Sequence, residues 1–160
     1  MSPIRLAQIL TYLGTLPFIY GALASLQMAP LANLMPFDIQ QALLGYALVI
    51  LSFIAGIHWG VALSKMAAPD QARPEQARLA GRLLLMSNVI ALWAWCIWLW
   101  ALSSLSPFSF WGLALGFGVM LVLDWRWLSL PQAKPWFWRL RWQASLVAIL
   151  SLSLAGWYVG

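Results

Sequence analysis

Hydrophobic residues along this chain form five long stretches, separated by short segments that hold most of the charged and turn-forming residues. The stretches cover approximately residues 6–26, 41–64, 83–103, 107–124 and 142–159. Each one reaches or approaches the length of about 20 apolar residues that a helix needs to cross the hydrocarbon core of a bilayer. The pattern predicts an all-α integral membrane bundle of five transmembrane helices, with residues 1–160 forming a single transmembrane domain.

The segments between the stretches carry signals for helix starts and for helix pairing. Asp38 is placed as an N-cap for the second helix, and Pro107 falls in the first turn of the fourth. Pro74 and Glu75 indicate a helix start within the connection that follows the second stretch. The connection from Ser103 to Pro107 is so short that helices three and four are expected to be antiparallel neighbours.

The nine Lys and Arg residues fall before the first stretch and then in alternate connections. They are Arg5, then Lys65, Arg73, Arg78 and Arg82, then Arg126, Lys134, Arg139 and Arg141. By the positive-inside rule, this asymmetry predicts a cytoplasmic N-terminus and a C-terminus on the opposite side of the membrane. The expected location is the bacterial inner (cytoplasmic) membrane, or the mitochondrial inner membrane if the protein is eukaryotic.

Composition supports the membrane interpretation and removes other classes of protein. With 63% hydrophobic and 8% charged residues, the chain has too little polar surface to coat a water-soluble globule. The net charge of +5 is explained by topology and anionic lipid headgroups, so no nucleic-acid partner is expected. The chain is tryptophan-rich, and Trp125, Trp127, Trp136, Trp138 and Trp142 surround one inner connection. They are interpreted as interfacial anchors, with an aromatic cage for a cationic ligand as the alternative.

Small residues and one proline give expectations for helix packing. Two glycine pairs, Gly56 with Gly60 and Gly112 with Gly116, have the spacing that allows close helix contact in membranes. Pro17 is expected to kink the first helix. One face of that helix is too polar for lipid and is expected to point inward; it consists of Gln8, Thr11, Thr15, Phe18, Ala22 and Ser25.

Polar side chains gather in the cytoplasmic half of the predicted bundle, and two interpretations of them remain open. The candidates for a polar cavity or ligand site are His58, Trp59, Asn88, Gln8, Tyr12, Asp124, Arg139 and Arg141. In the first interpretation His58 accepts a proton or binds a ligand in a cavity, with Asp124 and an arginine (Arg126, Arg139 or Arg141) at its mouth. In the second, His58 and Asn88 hydrogen-bond each other or nearby backbone to join helices two and three, and Asp124 pairs with an arginine to fix the inner loop.

Known catalytic arrangements are mostly absent from the sequence. Zinc sites need three or four ligands, whereas this chain has one histidine, one cysteine and four acidic residues spread along it. HExxH, GxSxG and a phosphate-binding glycine loop are missing. The sequence therefore predicts no catalytic residues, no metal site, no cofactor and no enzymatic activity, and Cys96 is expected to be a small buried side chain.

Several local patterns resemble one family of small polytopic membrane proteins. They are Leu16-Pro17-Phe18, Leu51-Ser52-Phe53-Ile54-Ala55-Gly56-Ile57-His58-Trp59-Gly60, and Asp124 followed by Pro135-Trp136-Phe137-Trp138-Arg139-Leu140-Arg141. The chain resembles the domain-of-unknown-function family that includes transmembrane protein sixty-nine, whose members lie in bacterial inner membranes and mitochondria. The resemblance implies location and architecture, names no reaction, and directs attention to Pro17, His58, Trp59, Asp124, Trp136 and Arg139.

Three functional hypotheses follow from these observations. The first is a non-enzymatic binding or assembly factor, whose bundle and tryptophan-rich inner connection dock a lipid, a quinone-like molecule or a partner subunit. The alternative is a proton-linked conduit or transporter for a small solute, built as a homo-oligomer and using His58. The third, a membrane enzyme, rests only on His58 and Asp124 and is the weakest.

Overall fold

The computed structural model describes residues 2–66, 74–129 and 134–159, and these residues form five long helices. The helices are α1 (Pro3–Ser25), α2 (Ile39–Met66), α3 (Pro74–Ser103), α4 (Pro107–Trp127) and α5 (Pro135–Val159). A short 3₁₀ helix, Ala32–Leu34, lies between α1 and α2. All five long helices are long and apolar enough to cross a membrane, which confirms the predicted all-α bundle of transmembrane helices. The predicted orientation of the two termini stays a prediction.

The helix starts are set by local capping chemistry. Asp38 caps α2 as predicted, because its Oδ1 accepts hydrogen bonds from the backbone N–H groups of Gln40 and Gln41 at 2.7 and 3.0 Å. Pro107 opens α4, as predicted. Ser2 caps α1 by accepting a bond of 3.4 Å from the backbone N–H of Arg5.

Two helices begin well before the stretches that hydropathy marks. The third begins at Pro74 rather than at 83, and the fifth begins at Pro135 rather than at 142. Hydropathy reports the lipid-embedded part of a helix, whereas the helical backbone continues through the polar interface. Proline opens both helices without loss, because the first helical N–H has no intrahelical partner in any case. The early start of α5 places Arg141 inside a helix rather than in a loop.

The helices pack so that α4 contacts α2, α3 and α5, while α1 contacts α2 and α5. The contact between α3 and α4 confirms that they are neighbours, as their short connection predicts. Buried aromatic and aliphatic side chains fill the interior, and its largest fully buried members include Phe110, Phe117, Leu51 and Leu113. The inward face of α1 is also confirmed, since Thr15, Phe18 and Ala22 are buried.

The glycine pairs divide into one that packs and one that does not. A Cβ atom added to Gly112 would lie 2.8 Å from the side chain of Ile97, and one added to Gly116 would lie 2.6 Å from that of Leu51. This pair therefore allows close helix approach, as predicted. The prediction for Gly56 and Gly60 is wrong for contacts with the described residues. Both are exposed on α2, and nothing described lies within 4 Å of an added Cβ.

Pro17 lies inside α1, and the helix continues through it from Pro3 to Ser25. The predicted kink at Pro17 stays a prediction. Nearby hydroxyl groups are satisfied within the same helix. Thr11 Oγ1 donates to the Ala7 carbonyl at 2.8 Å, and Thr15 Oγ1 donates to the Tyr12 carbonyl at 2.7 Å.

Candidate functional site

Three polar side chains from three helices meet inside the bundle. His58 comes from α2, Asp124 from α4 and Arg141 from α5. The His58 Nε2 atom lies 2.7 Å from Asp124 Oδ1, and Arg141 Nε donates to Asp124 Oδ2 at 2.6 Å. Their exposed fractions are 0%, 1% and 7%. One buried carboxylate therefore connects three helices, and we call this group the buried triad.

The charges of the triad explain why its members occur together. A carboxylate in a low-dielectric interior is costly unless a cation and hydrogen bonds compensate it. Arg141 supplies the countercharge to Asp124 at one oxygen. His58 satisfies the other oxygen when its proton is on Nε2, and this tautomer leaves Nδ1 as an acceptor. With His58 neutral, the formal charge of the triad is zero.

The triad also has hydrogen-bonding capacity that the protein does not use. Within the described part of the chain, His58 Nδ1 and Arg141 Nη2 are buried and have no hydrogen-bond partner. Most buried polar atoms in proteins are paired, and leaving one unpaired costs about 1–3 kcal/mol. His58 Nδ1 therefore keeps the capacity to take a proton, and Arg141 Nη2 is a donor that no described group uses.

A cavity of about 300 Å³ lies beside the triad, with Arg141 in its wall. Its walls come from α1, α2, α4 and α5, and almost all of the lining surface is apolar. The polar lining residues are Thr11, Thr15, Arg141 and Ser145. The apolar lining residues include Leu10, Phe53, Ile54, Ile57, Phe117, Phe137, Leu140 and Ala148.

The sequence names all three members of the triad among its candidates, and it misplaces Asn88. His58 and Asp124 are buried and in contact, and the predicted pairing of Asp124 with an arginine is confirmed for Arg141. Asn88 is exposed on α3, and its Nδ2 donates to the Leu84 carbonyl at 2.8 Å. Of the two predicted alternatives for Asn88, the bond to nearby backbone is the one formed; it lies within α3, so it does not join α2 to α3. An asparagine that bonds the carbonyl one turn back needs no partner on another helix, and the buried polar residue at this level of α3 is Ser87.

The remaining candidates lie outside the triad. Arg139 is exposed, and Trp59 is 43% exposed. Tyr12 is 49% exposed, and its hydroxyl donates to Gln143 Oε1 at 2.8 Å, a contact between α1 and α5. Gln8 is half-buried on α1. Cys96 is exposed, which contradicts its expected burial.

Sequence reasoning predicted a cavity around His58 with Asp124 and an arginine at its mouth; in the structure Arg141 lines the cavity, whereas His58 and Asp124 are buried and are not part of its lining. Ser145 and Arg141 both line the cavity, and they are four residues apart on one face of α5. This shared face can be recognised from the sequence only when the helix is taken to begin at Pro135. The described residues contain no group of three His, Cys, Asp or Glu side chains that could hold a metal ion. What the site offers is a cationic side chain, Arg141, in the wall of an apolar space, and an imidazole that bonds the same carboxylate.

The helices and the triad define a class: a multi-pass membrane protein built as a five-helix bundle around a buried ionic cluster. Residues 3–156 match the family model described as "Protein of unknown function (DUF3429)", and the chain belongs to this family. No curated protein and no solved structure matches it. Because the family description names no activity, a function for this protein has to be argued from the triad and the cavity.

Proposed function

We propose that this protein is a non-enzymatic binding or assembly factor whose cavity takes a lipid-like or quinone-like ligand. The observation that supports this most strongly is the apolar space of about 300 Å³ between α1, α2, α4 and α5, with a buried polar side chain in its wall. Small-molecule sites are apolar cavities with a few convergent polar groups, and they range from about 300 to 1,000 Å³. The cavity is at the lower end of that range.

The membrane setting favours an amphiphilic ligand. A molecule that reaches a site between transmembrane helices arrives through lipid, so it carries apolar surface. A purely apolar molecule would offer no partner to the Arg141 guanidinium in the cavity wall, whereas a ligand with one polar end would pair with it. These two requirements together describe a lipid-like molecule with a polar head and an apolar body.

Native mass spectrometry of the protein ejected from its own membranes tests this proposal. The informative variant is Ala144→Phe, because Ala144 lines the cavity and a phenyl ring there occupies part of it. The matched control is Ala42→Phe, which makes the same change at an exposed position of α2.

We expect a discrete mass bound to the wild-type protein and to Ala42→Phe, and its loss from Ala144→Phe. Equal binding by both variants would place the ligand outside the cavity. A bare wild-type chain under conditions that retain lipid on other membrane proteins would contradict the proposal.

A second candidate function is the oligomeric proton-linked conduit, and one observation favours it. Ionisable side chains within the membrane often belong to proton relays, and His58 and Asp124 form such a pair at 2.7 Å. Histidine titrates between about pH 5 and 8, which suits a proton carrier.

Proteoliposomes with a pH-sensitive dye inside test this second candidate. Under an imposed membrane potential, the wild-type protein should pass protons faster than protein-free liposomes, and His58→Ala should abolish the difference. Identical rates for the two proteins between about pH 5 and 8 would eliminate a conduit that uses His58.

We also infer the setting in which the protein acts. The basic connections support a bacterial inner membrane, or the mitochondrial inner membrane in a eukaryote, whereas the grouping with transmembrane protein sixty-nine rests on the sequence resemblance alone. A homo-oligomer or a membrane partner subunit would cover exposed residues such as Gly56 and Gly60.

A further inference from the structure

Arg141 gives the cavity a positive donor that the protein leaves unused. Among the described lining residues it is the one with a formal charge. Its Nε is bonded to Asp124, while its Nη2 is buried and unpartnered. A guanidinium presents five N–H donors and no acceptor, so its free side binds oxygen atoms, and it binds carboxylate, sulfonate or phosphate oxygens most strongly. The polar end of the cavity therefore favours a ligand with a hydrogen-bond acceptor, and it favours an anionic acceptor over a neutral one.

The lining of the cavity describes the rest of the ligand. Its walls are predominantly aliphatic and aromatic, and it opens toward the surface of the bundle, since Leu10 and Phe53 in its lining are 60% and 72% exposed. A single chain matches the chemistry of the lining and the volume of about 300 Å³.

The charge balance of the triad indicates that binding of an anion is accompanied by uptake of one proton. With His58 neutral, Asp124 and Arg141 cancel, so a bound anion would leave a net charge of −1 in a low-dielectric interior. One proton on His58 restores neutrality, and the unpartnered Nδ1 can take it while Nε2 keeps its bond to Asp124. Asp124 and Arg141 are the charged groups facing His58 from α4 and α5. The titratable residues on the corresponding half of α1 and α3 are exposed: Arg5, Tyr12, Glu75, Arg78 and Arg82.

We propose that the cavity binds a single-chain amphiphile with an anionic headgroup, which pairs with Arg141 and is taken up together with one proton on His58. This rests on the proposed function, because it specifies the ligand class of the same cavity. The reaction is an association only, in which an anion and a proton enter and no covalent bond forms or breaks other than the N–H bond on His58.

The test compares two probes with the same chain, dodecyl sulfonate and dodecanol. The full-length protein is held in nanodiscs of zwitterionic lipid, and binding of each radiolabelled probe is corrected with empty nanodiscs. The sulfonate stays charged between pH 5 and 8, so any pH dependence of its affinity belongs to the protein.

We expect the sulfonate to bind at least about tenfold more tightly than dodecanol at pH 6, a difference of about 1.4 kcal/mol. Its affinity should fall as the pH rises to 8, by up to about tenfold per pH unit, because uptake of one proton accompanies binding. The affinity for dodecanol should not change with pH.

Variants identify the residues responsible. Arg141→Gln combined with Asp124→Asn removes both charges and leaves no uncompensated ion, so the bundle keeps its interior neutral while the preference for sulfonate disappears. His58→Gln should make sulfonate binding weak and independent of pH. Arg139→Gln makes the same change of charge at an exposed position two residues away and should behave as wild type.

The outcomes separate this proposal from the one on which it rests. Equal affinity for dodecanol and dodecyl sulfonate would overturn the anionic headgroup and leave the lipid-binding function standing. Tight sulfonate binding that does not vary with pH would overturn the proton uptake. If neither probe binds above empty nanodiscs, both the ligand class and the lipid-binding function fail.

Discussion

At the scale of single residues, Asp124 is the side chain on which the interior depends most. It is 1% exposed, and its two oxygens serve different partners, His58 on one side and Arg141 on the other. The carboxylate of Asp124 therefore joins α4 to two neighbouring helices, α2 and α5. Removing its charge leaves Arg141 as a buried cation without compensation.

We predict that Asp124→Asn destabilises the protein strongly. Breaking a buried ion pair by removing one partner typically costs about 3–5 kcal/mol, because the remaining charge stays buried. The free energy of unfolding can be measured by titrating SDS into mixed micelles while following tryptophan fluorescence. Adding Arg141→Gln to Asp124→Asn should recover part of the loss, since the remaining charge is then removed.

Asp38→Asn is the matched control for this prediction. Asp38 is exposed and caps α2, and asparagine caps helices about as well as aspartate, so a change within about 0.5 kcal/mol is expected. A loss for Asp124→Asn no larger than that for Asp38→Asn would show that the buried triad does not stabilise the bundle.

The sequence predicts which residues form the triad better than it predicts which side chain bonds to which. His58 and Asp124 are identifiable because ionisable groups within apolar stretches need compensation. Asn88 is misplaced because an amide can satisfy itself on its own helix, and nothing in the spacing shows whether it does. The choice of Arg141 over Arg139 depends on which face of α5 turns inward, and that face follows only from the packing of α1 and α4 against it.

At the scale of helices, small residues determine how closely α4 and α5 approach. A Cβ atom added to Gly156 on α5 would lie 2.8 Å from Trp111 Nε1 and 3.0 Å from Phe110 Cβ on α4. Phe110 is fully buried, and its Cβ is held by the backbone, so it cannot move aside as the end of a long side chain can. The two helices would have to separate to admit a methyl group.

We predict that Gly156→Ala destabilises the bundle by about 1–3 kcal/mol, the usual cost of overpacking a close contact. Gly60→Ala is the control, because nothing described lies within 4 Å of an added Cβ there, and it should be neutral or slightly stabilising. SDS titration compares the two variants. Equal stabilities would mean that the contact between α4 and α5 has more free space than the structure shows.

Hydropathy along the sequence predicts where the spans lie, but it does not predict where the helices begin. Hydropathy locates all five spans, because lipid exposure requires apolar surface. It does not locate the ends, since α3 and α5 begin at prolines that lie among charged and aromatic residues. Proline as a helix start, taken together with hydropathy, predicts both beginnings.

At the scale of the whole molecule, the distribution of basic residues predicts orientation. Arginine and lysine lie beside the ends of α2 and α4 and the starts of α3 and α5, and the opposite connections carry none. The order of the helices in the bundle cannot be predicted in this way, because spacing along a chain does not specify which helices are neighbours. The contacts of α1 with α5 and of α2 with α4 therefore had no sequence signal.

We predict that reporters fused to the two ends of the chain report opposite sides of the membrane. Fused to the C-terminus, alkaline phosphatase should be active and green fluorescent protein dark in a bacterial host, while an N-terminal fluorescent protein should be bright. Reversing the charge of Arg78 and Arg82 provides a control that should weaken this preference. Fluorescence from both termini would contradict the predicted topology.

We propose that the cavity holds one kind of lipid-like molecule in the living membrane. Site-specific photo-crosslinking measures this, with benzoylphenylalanine placed at Phe137, which lines the cavity, or at Phe108, which is 73% exposed and outside it. After irradiation of intact membranes, mass spectrometry should find one discrete adduct at position 137 and a broad mixture of bulk lipids at position 108. The same lipid mixture at both positions would contradict a selective binding site in the bundle.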